Sequence, residues 1–457
     1  MTPSPIPGTV IPMQTLAILW SYLATRHRPR FRGRDALERW QDRRVRRHLR
    51  RVLPASPYYR ERFGGAADWR DAPTTDKAAM MAEFDRLNTV GVGREEALGV
   101  ALEAESSRDF APMVGRITVG LSSGTSGSRG VFLASPAERA RWAGTILAKA
   151  LPSSLLIGPR HRIAFFLRAN SNLYDTVRSR RVRFEFFDLM APLEDHLARL
   201  DALAPTVLVA PPSMLRMLSE ARNAGALAAT PGKVISVAEV LDPLDAVHIA
   251  RAFGGPIHQI YQATEGLLGT TCAHGTLHLA EDGLVIQREY LDPDHTRFTP
   301  VITDFRRVSQ PILRYRLDDV LVLRPEPCPC GSVMTALDCV EGRADDLFYL
   351  PPAAGGPLRP VFPDFVRRAI IAASDGILAY GVRQVAADGI ELFLRVRPGG
   401  EPSEIRRAAV QALDELWRRL GCRVPAVRFV EEWARGGMRK LKRVERCFEP
   451  GTEKESG

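Results

Sequence analysis

The sequence predicts an α/β protein in two parts: a large N-terminal α/β unit with mixed sheets and a small C-terminal α+β unit. Two observations carry this expectation. Strand-like and helix-like runs alternate between residues 162 and 239, the pattern of βα units layered on a sheet. After residue 343 the texture changes: DDLFYLPPAAGGPLRPVFP is rich in Pro and Gly and reads as a linker, with a short helix–strand–strand–helix series behind it. The length of 457 residues agrees, because single cores stop growing beyond about 250–300 residues.

Taken in order, TVIPMQTLAILWSYLA at 9–24 is apolar but shorter than the roughly 20 residues of a spanning helix. No Lys or Arg precedes it, so it lacks the charged start of a signal peptide. It is expected to pack on the protein, or to lie on a membrane surface with a basic run behind it. That run, residues 26–51, carries much of the net charge of +10. Leu37, Trp40, Val45 and Leu49 interleave it at helical spacing, so it reads as the solvated face of a helix, with a nucleic-acid or anionic-membrane patch as the alternative. The composition, 45% hydrophobic and 25% charged, is that of a globular chain. Six unevenly spaced cysteines form no disulfide framework and fit a reducing cytoplasm, with peripheral inner-membrane contact through residues 9–51 as the variant.

The strand candidates are RIAFFL (162–167), VRFEFFDL (182–189), TVLVAPP (206–212) and KVISVAE (233–239). Their helical partners are LEDHLARLDAL (193–203) and SMLRMLSEARNAGAL (213–227). In the second unit LAYGVRQVAA and GIELFLRVRP read as strands, and SEIRRAAVQALDELWRRLG as a helix.

LSSGTSGSRG, residues 121–130, follows the strand-like RITVG. Its glycines permit φ > 0 and close approach, and successive amides form an anion-binding concavity. A Walker A loop would need GxxxxGK[ST] running straight into a helix. Here no Lys follows, Gly130 leads into VFLA, and the next helix waits for a capping box at Ser135 and Glu138. The order is strand, loop, strand. YQATEG (261–266), RYRLDDV (314–320), EGRADD (341–346) and GGMRKLKRVER (436–446) add an aromatic, hydroxyls, carboxylates and a lysine. CAHGTLHL and CPCG supply Cys272, His278, Cys328 and Cys330, a Cys₃His set suited to a closed structural zinc site; four unliganded side chains near a Pro-Gly turn are the alternative.

These motifs, in this order and spacing, resemble the adenylate-forming superfamily. The likeness is nearest to the phenylacetate-CoA ligase branch and its relatives that adenylylate a deazaflavin coenzyme, and SPYYRERF at 56–63 resembles that branch's opening helix. It spans residues 40–446. The resemblance implies an adenylation domain over 1–343 and a small mobile domain over 344–457, turning about a hinge at Asp345. It implies that Ser122, Ser123, Gly124, Thr125, Ser126 and Gly127 wrap the β- and γ-phosphates of ATP. Tyr261 would stack on adenine, lined on the other side by Ala238 and Glu239. Thr264 would contact phosphate, Glu265 hold Mg²⁺, Asp319 bind the ribose hydroxyls and Arg343 reach ribose or phosphate. Lys440 matches the lysine at the α-phosphate and carboxylate, although Arg439 stands where the family usually has glycine and Lys442 is a neighbouring alternative. Ser128-Arg129 replace the common Lys-Pro. Some members of the branch also carry zinc between the two Cys/His segments.

The implied activity is activation of a carboxylic acid to an acyl-adenylate, then transfer to a thiol of CoA or of carrier-protein phosphopantetheine. An aromatic acid such as a hydroxybenzoate is expected, in a pocket of Phe165, Phe166, Leu167, Asn170, Tyr174, Ala263 and Thr264. The partners expected are that small acid and an acyl carrier protein, with no nucleic acid and with homodimer formation open. Two alternatives stand beside this: AMP transfer to a phenolic cofactor hydroxyl, and a zinc-bearing basic nucleic-acid-binding protein, which leaves the ordered motifs unexplained.

Overall fold

The computed structural model describes residues 13–28, 31–107, 111–122, 130–167, 179–189, 191–343, 346–399, 401–433 and 442–448. A twelve-stranded mixed sheet organises the larger part. Its parallel half runs Val182–Asp188, His161–Leu167, Val207–Ala210, Lys233–Val237, Ile257–Ala263 in space. The sequence VLVA at 207–210 is buried at every position, as befits a strand covered on both faces. Leu193–Leu203, Pro212–Asn223 and Pro243–Phe253 are helices between these strands.

Beyond Ile257–Ala263 the pairing turns antiparallel, through Gly266–Thr271, Leu277–Leu279, Ala336–Arg343, Asp319–Leu323, Arg297–Asp304 and Leu284–Tyr290, with Ile312–Arg316 as the twelfth strand, also paired to Arg297–Asp304. The fold is therefore the expected α/β class with a mixed sheet. The helix expected over 213–227 stops at Asn223, where Gly225 takes φ +75° and ends it.

The apolar N-terminal segment forms the helix Met13–Arg26, packed on Pro136–Ala150. Gly144 makes that packing close: a Cβ there would lie 2.4 Å from the Ile18 carbonyl. Among the described residues no helix is long and apolar enough to cross a membrane. The basic run forms the helix Arg34–Val52, with Leu37, Val45 and Leu49 buried as its spacing predicts.

The C-terminal part builds a four-stranded sheet in the order Ala426–Phe429, Gly389–Val396, Ile377–Ala386, Val444–Arg446. The helices Pro363–Ala373 and Pro402–Arg419 share a core with it that includes Trp417 and Tyr380. The stretch expected as a linker is structured instead. Phe348–Leu350 pairs with Arg359–Val361, and Phe348, Leu350 and Val361 are buried in that core. Its apolar residues at alternate positions outweigh the Pro and Gly of the turn.

Candidate functional site

Ile117–Leu121 and Val131–Ala134 pair as an antiparallel hairpin around the glycine-serine loop. The loop closes at its base: Ser122 N–H donates to the Gly130 carbonyl at 2.8 Å, and Gly130 N–H donates to Ser122 Oγ at 2.7 Å. Ser123, Gly124, Thr125, Ser126 and Gly127 lie outside the described residues, as do Asp345 and Lys440. A Cβ on Gly130 would come within 3.0 Å of the Lys77 side chain. Lys77 thus brings a cation to a loop that has no lysine of its own, from the start of the helix Lys77–Ala82, which carries no motif to mark it.

Three turns gather at the carboxyl ends of the parallel strands, where open α/β sheets bind ligands. Ala238 follows Lys233–Val237 with φ +68°, a strained backbone for a residue with a Cβ. Glu239 beside it accepts from Ser213 N–H at 3.3 Å, in the first turn of Pro212–Asn223, where a carboxylate is favoured by the helix dipole. Tyr261, on Ile257–Ala263, donates its hydroxyl to Asp319 Oδ2 at 2.5 Å. Asp319 opens its strand directly opposite Arg343 in the ladder. Tyr261, Asp319 and the Arg343 backbone, separated widely in sequence, are thereby brought together.

Thr264 and Glu265 form the turn into the antiparallel half. Glu265 is buried, and its two oxygens accept from Thr264 Oγ1 at 3.0 Å and Tyr315 Oη at 3.1 Å. Burial first, and then the Glu265 charge, push the Tyr315 hydroxyl well up, so it stays a donor. Arg307 ties the same turn by donating to the Thr264 carbonyl at 2.7 Å and the Glu265 carbonyl at 3.1 Å. Tyr315 stands inside the quoted RYRLDDV, yet only the fold reveals that it holds Glu265. Arg307 carried no sequence signal.

The acid pocket expected around Phe165 and Phe166 needs correction. Phe166 is fully buried and stacks on Phe187 with ring centroids 4.6 Å apart, inside the core between sheet and helices. Phe165 packs on Phe184 in the core of the opposite face. Alternation along a strand buried on both sides gives each ring to a core. Asn170 and Tyr174 lie outside the described residues.

Cys272, His278, Cys328 and Cys330 converge as their spacing predicts, with their ligand atoms all within 4.8 Å of one another. The Cys272 and Cys328 sulfurs are 3.7 Å apart, and Cys330 Sγ is 3.4 Å from His278 Nε2. A tetrahedron with metal–sulfur bonds of about 2.3 Å has edges of about 3.8 Å, so the four fit zinc without rearrangement. His278 Nδ1 lies 3.0 Å from the Met334 carbonyl, which fixes the proton on Nδ1 and leaves the Nε2 lone pair facing the cluster.

The alternative lysine is also placed. Lys442 pairs with Asp346 at 2.7 Å and accepts at its carbonyl from Trp433 Nε1 at 3.1 Å. It lines a narrow cleft between the two parts with Glu239, Glu341 and Asp346. Next to it, Arg443 grips Asp245, which also holds Arg216 at 2.5 Å, while Tyr380 donates to Asp242 at 2.5 Å. Asp242 and Asp245 stand at the start of the helix Pro243–Phe253.

No family model matches the chain, and no curated protein matches it. Solved structures do. A 2-hydroxyisobutyryl-CoA ligase, in the postadenylation state with an acyl-AMP bound, aligns at 16% identity over 92% of this chain and 91% of its own, with a TM-score of 0.67. The same ligase with CoA in the thioesterification state gives 0.53 at 18% identity, covering 91% of each chain. An anthranilate CoA ligase in complex with anthranoyl-AMP gives 0.51 at 13% identity, over 71% of this chain and 66% of its own. The chain therefore has the fold of these acyl-CoA ligases.

Proposed function

We propose that the protein activates a carboxylic acid with ATP and passes the acyl group to a thiol. The observation that carries this reading is the meeting of Tyr261, Asp319, Thr264 and Glu265 at the carboxyl ends of the strands, in a fold shared with ligases solved around an acyl-adenylate. Tyr261 offers its ring to adenine, and Asp319, oriented by the Tyr261 hydroxyl, keeps lone pairs for the ribose. The loop from Ser122 to Gly130 holds the β- and γ-phosphates with amides and hydroxyls, and Lys77 adds charge at its base. Glu265 fits Mg²⁺: its oxygens receive two hydroxyl donors and retain lone pairs for a hard cation, which would neutralise triphosphate charge.

The acid's carboxylate oxygen attacks the α-phosphorus as the bond to pyrophosphate breaks, and Lys440 stabilises the charge that develops. The thiol sulfur then attacks the acyl carbon, AMP leaves, and the thiol proton passes to solvent. Residues 344–457 turn about Asp345 between the two steps. The unequal fit to one ligase in two states, 0.67 against 0.53, favours reading the present arrangement as the one that follows adenylation. An aromatic acid, and CoA or carrier-protein phosphopantetheine as the thiol, complete the reading. The Cys/His cluster holds structural zinc, which with four protein ligands has no position open for substrate; one zinc per chain by elemental analysis, lost in Cys330→Ser, is the expected result.

ATP–pyrophosphate exchange across benzoic, hydroxybenzoic, phenylacetic, cinnamic and aliphatic acids tests the activity. Exchange dependent on one acid and lost in Lys440→Ala is expected. Silence across the panel in protein that binds ATP would favour AMP transfer to a phenolic hydroxyl, and absence of ATP binding would overturn the reading.

A further inference from the structure

Trp40 and Phe305 meet edge to face, with ring centroids 5.4 Å apart, beneath a group of arginines. The Arg28 guanidinium lies 4.9 Å over Trp40. Arg44 lies 5.8 Å over Trp40 and 5.7 Å over Phe305. Arg28 and Arg306 both donate to the Asp282 carbonyl, which places their guanidinium groups side by side. Arg141 donates to the Arg306 carbonyl at 2.7 Å. These residues come from four separate stretches: the link after the first helix, the helices Arg34–Val52 and Pro136–Ala150, and the turn after Arg297–Asp304.

What the group lacks is a direct ion pair: Asp282 acts on Arg28 and Arg306, and Glu138 on Arg141, only from a distance. Among the described residues no carboxylate forms an ion pair with Arg28, Arg44, Arg141 or Arg306. Asp282 pairs with Lys149 at 3.2 Å, and shares its remaining attraction between Arg306 and Arg28. Asp304 is pushed up by burial and bonds the Arg306 backbone N–H. Glu138 is occupied by Ser135, Val308 and Ser309. Burial and then the neighbouring arginines hold Arg44 below its ordinary value. His48, buried on the same helix, falls to about 4 through burial, then Arg51, with Arg141 and Arg44 adding. Its Nε2 has no hydrogen-bond partner among the described residues.

We propose that Arg28, Arg44, Arg141 and Arg306, gathered on the Trp40–Phe305 pair, form a binding site for a multiply charged phosphate anion. Guanidinium forks match phosphate oxygens two at a time, and a phosphate group carries close to two charges where a carboxylate carries one. Arg47 and Arg51 continue the exposed stripe of Arg44 along the helix, about 10 Å at the helical rise, so the mouth suits a phosphate on a larger body as well as a free one.

Binding of inorganic pyrophosphate by calorimetry, and co-sedimentation with phosphatidylglycerol against phosphatidylcholine vesicles, test this in wild type, Arg44→Gln and Arg28→Gln. Each variant should weaken pyrophosphate binding about tenfold or more, the loss of one charge-assisted contact. Arginine-dependent binding to phosphatidylglycerol vesicles would name a lipid headgroup as the source, and dependence with pyrophosphate alone a free phosphate anion. The proposal fails if both variants, with unchanged thermal midpoints, bind pyrophosphate and phosphatidylglycerol vesicles as wild type does. ATP–pyrophosphate exchange in the same proteins reads the nucleotide site separately, so failure of the adenylation reading leaves this result intact.

Discussion

Two arginine-rich regions of the molecule differ in how their charge is answered. Between the larger and smaller parts, four guanidinium groups meet four carboxylates: Arg216 and Arg443 on Asp245, Arg367 near Asp242 at 3.6 Å, and Arg297 between Glu341 and Asp364. Around Trp40 the guanidinium groups crowd together, and among the described residues none of Arg28, Arg44, Arg141 and Arg306 is ion-paired with a carboxylate; Asp282 and Glu138 act on them only from a distance. Desolvating a charge costs several kcal/mol unless a partner offsets it, so a buried region answers each charge within the protein. A cluster left without direct ion pairs near the surface is instead suited to an anion from outside. The difference is one of burial as much as of composition.

The largest expected effect comes from breaking the answered region. Asp245→Ala leaves Arg216 and Arg443, 12% and 9% exposed, without their shared carboxylate. A loss of about 3 kcal/mol is expected, because the two buried cations keep only the half-exposed Glu220 at 3.2 Å from Arg216 and Asp242 at 3.9 Å from Arg443. Urea unfolding followed by fluorescence checks it, and a loss below about 1 kcal/mol would show that the network rearranges freely.

None of this network could be read from the sequence. Asp245 and Arg443 stand 198 positions apart, and Arg443 sits in GGMRKLKRVER as one basic residue among several. What was legible had local form. Strand and helix periodicity gave the parallel half, the Cys/His spacing predicted a cluster that does converge, and Ser135 with Glu138 gave a capping box that is present. The hairpin of Phe348–Leu350 and Arg359–Val361 was hidden because its turn is rich in Pro and Gly while its three core residues are few. Phe166 misled for the opposite reason: an aromatic run on a strand covered on both faces looks the same whether it lines a pocket or a core.

Glu341 gives the next effect, in pH. Burial first, opposed by Arg297 and aided by Asp364, raises its carboxyl from the usual 4.5 to about 7. The folded state then binds this proton more tightly than the unfolded chain does. Its contribution favours folding most below about pH 4.5, declines as pH rises, and is lost above about 7. The span corresponds to at most about 3 kcal/mol. Urea midpoints of wild type and Glu341→Gln between pH 5 and 8 should therefore converge at the acid end and separate at the alkaline end, with the variant the more stable there. Parallel midpoints across the range would mean that Arg297 keeps Glu341 ionised throughout.

Arg368 supplies the smallest effect and the sharpest control. It contacts the same Asp364 that Arg297 approaches, at the shorter distance of 2.6 Å against 3.7 Å, and reaches Asp338 at 3.3 Å as well. By proximity alone it would rank above Arg297. It is, however, 62% exposed where Arg297 is 13% exposed, so water screens its contacts and still solvates its charge in the folded protein. Arg368→Gln should change stability by no more than about 0.5 kcal/mol. Equality with the Asp245→Ala loss would mean that ion-pair geometry, and not burial, decides which arginines matter, and the contrast between the two regions would then rest on the wrong variable.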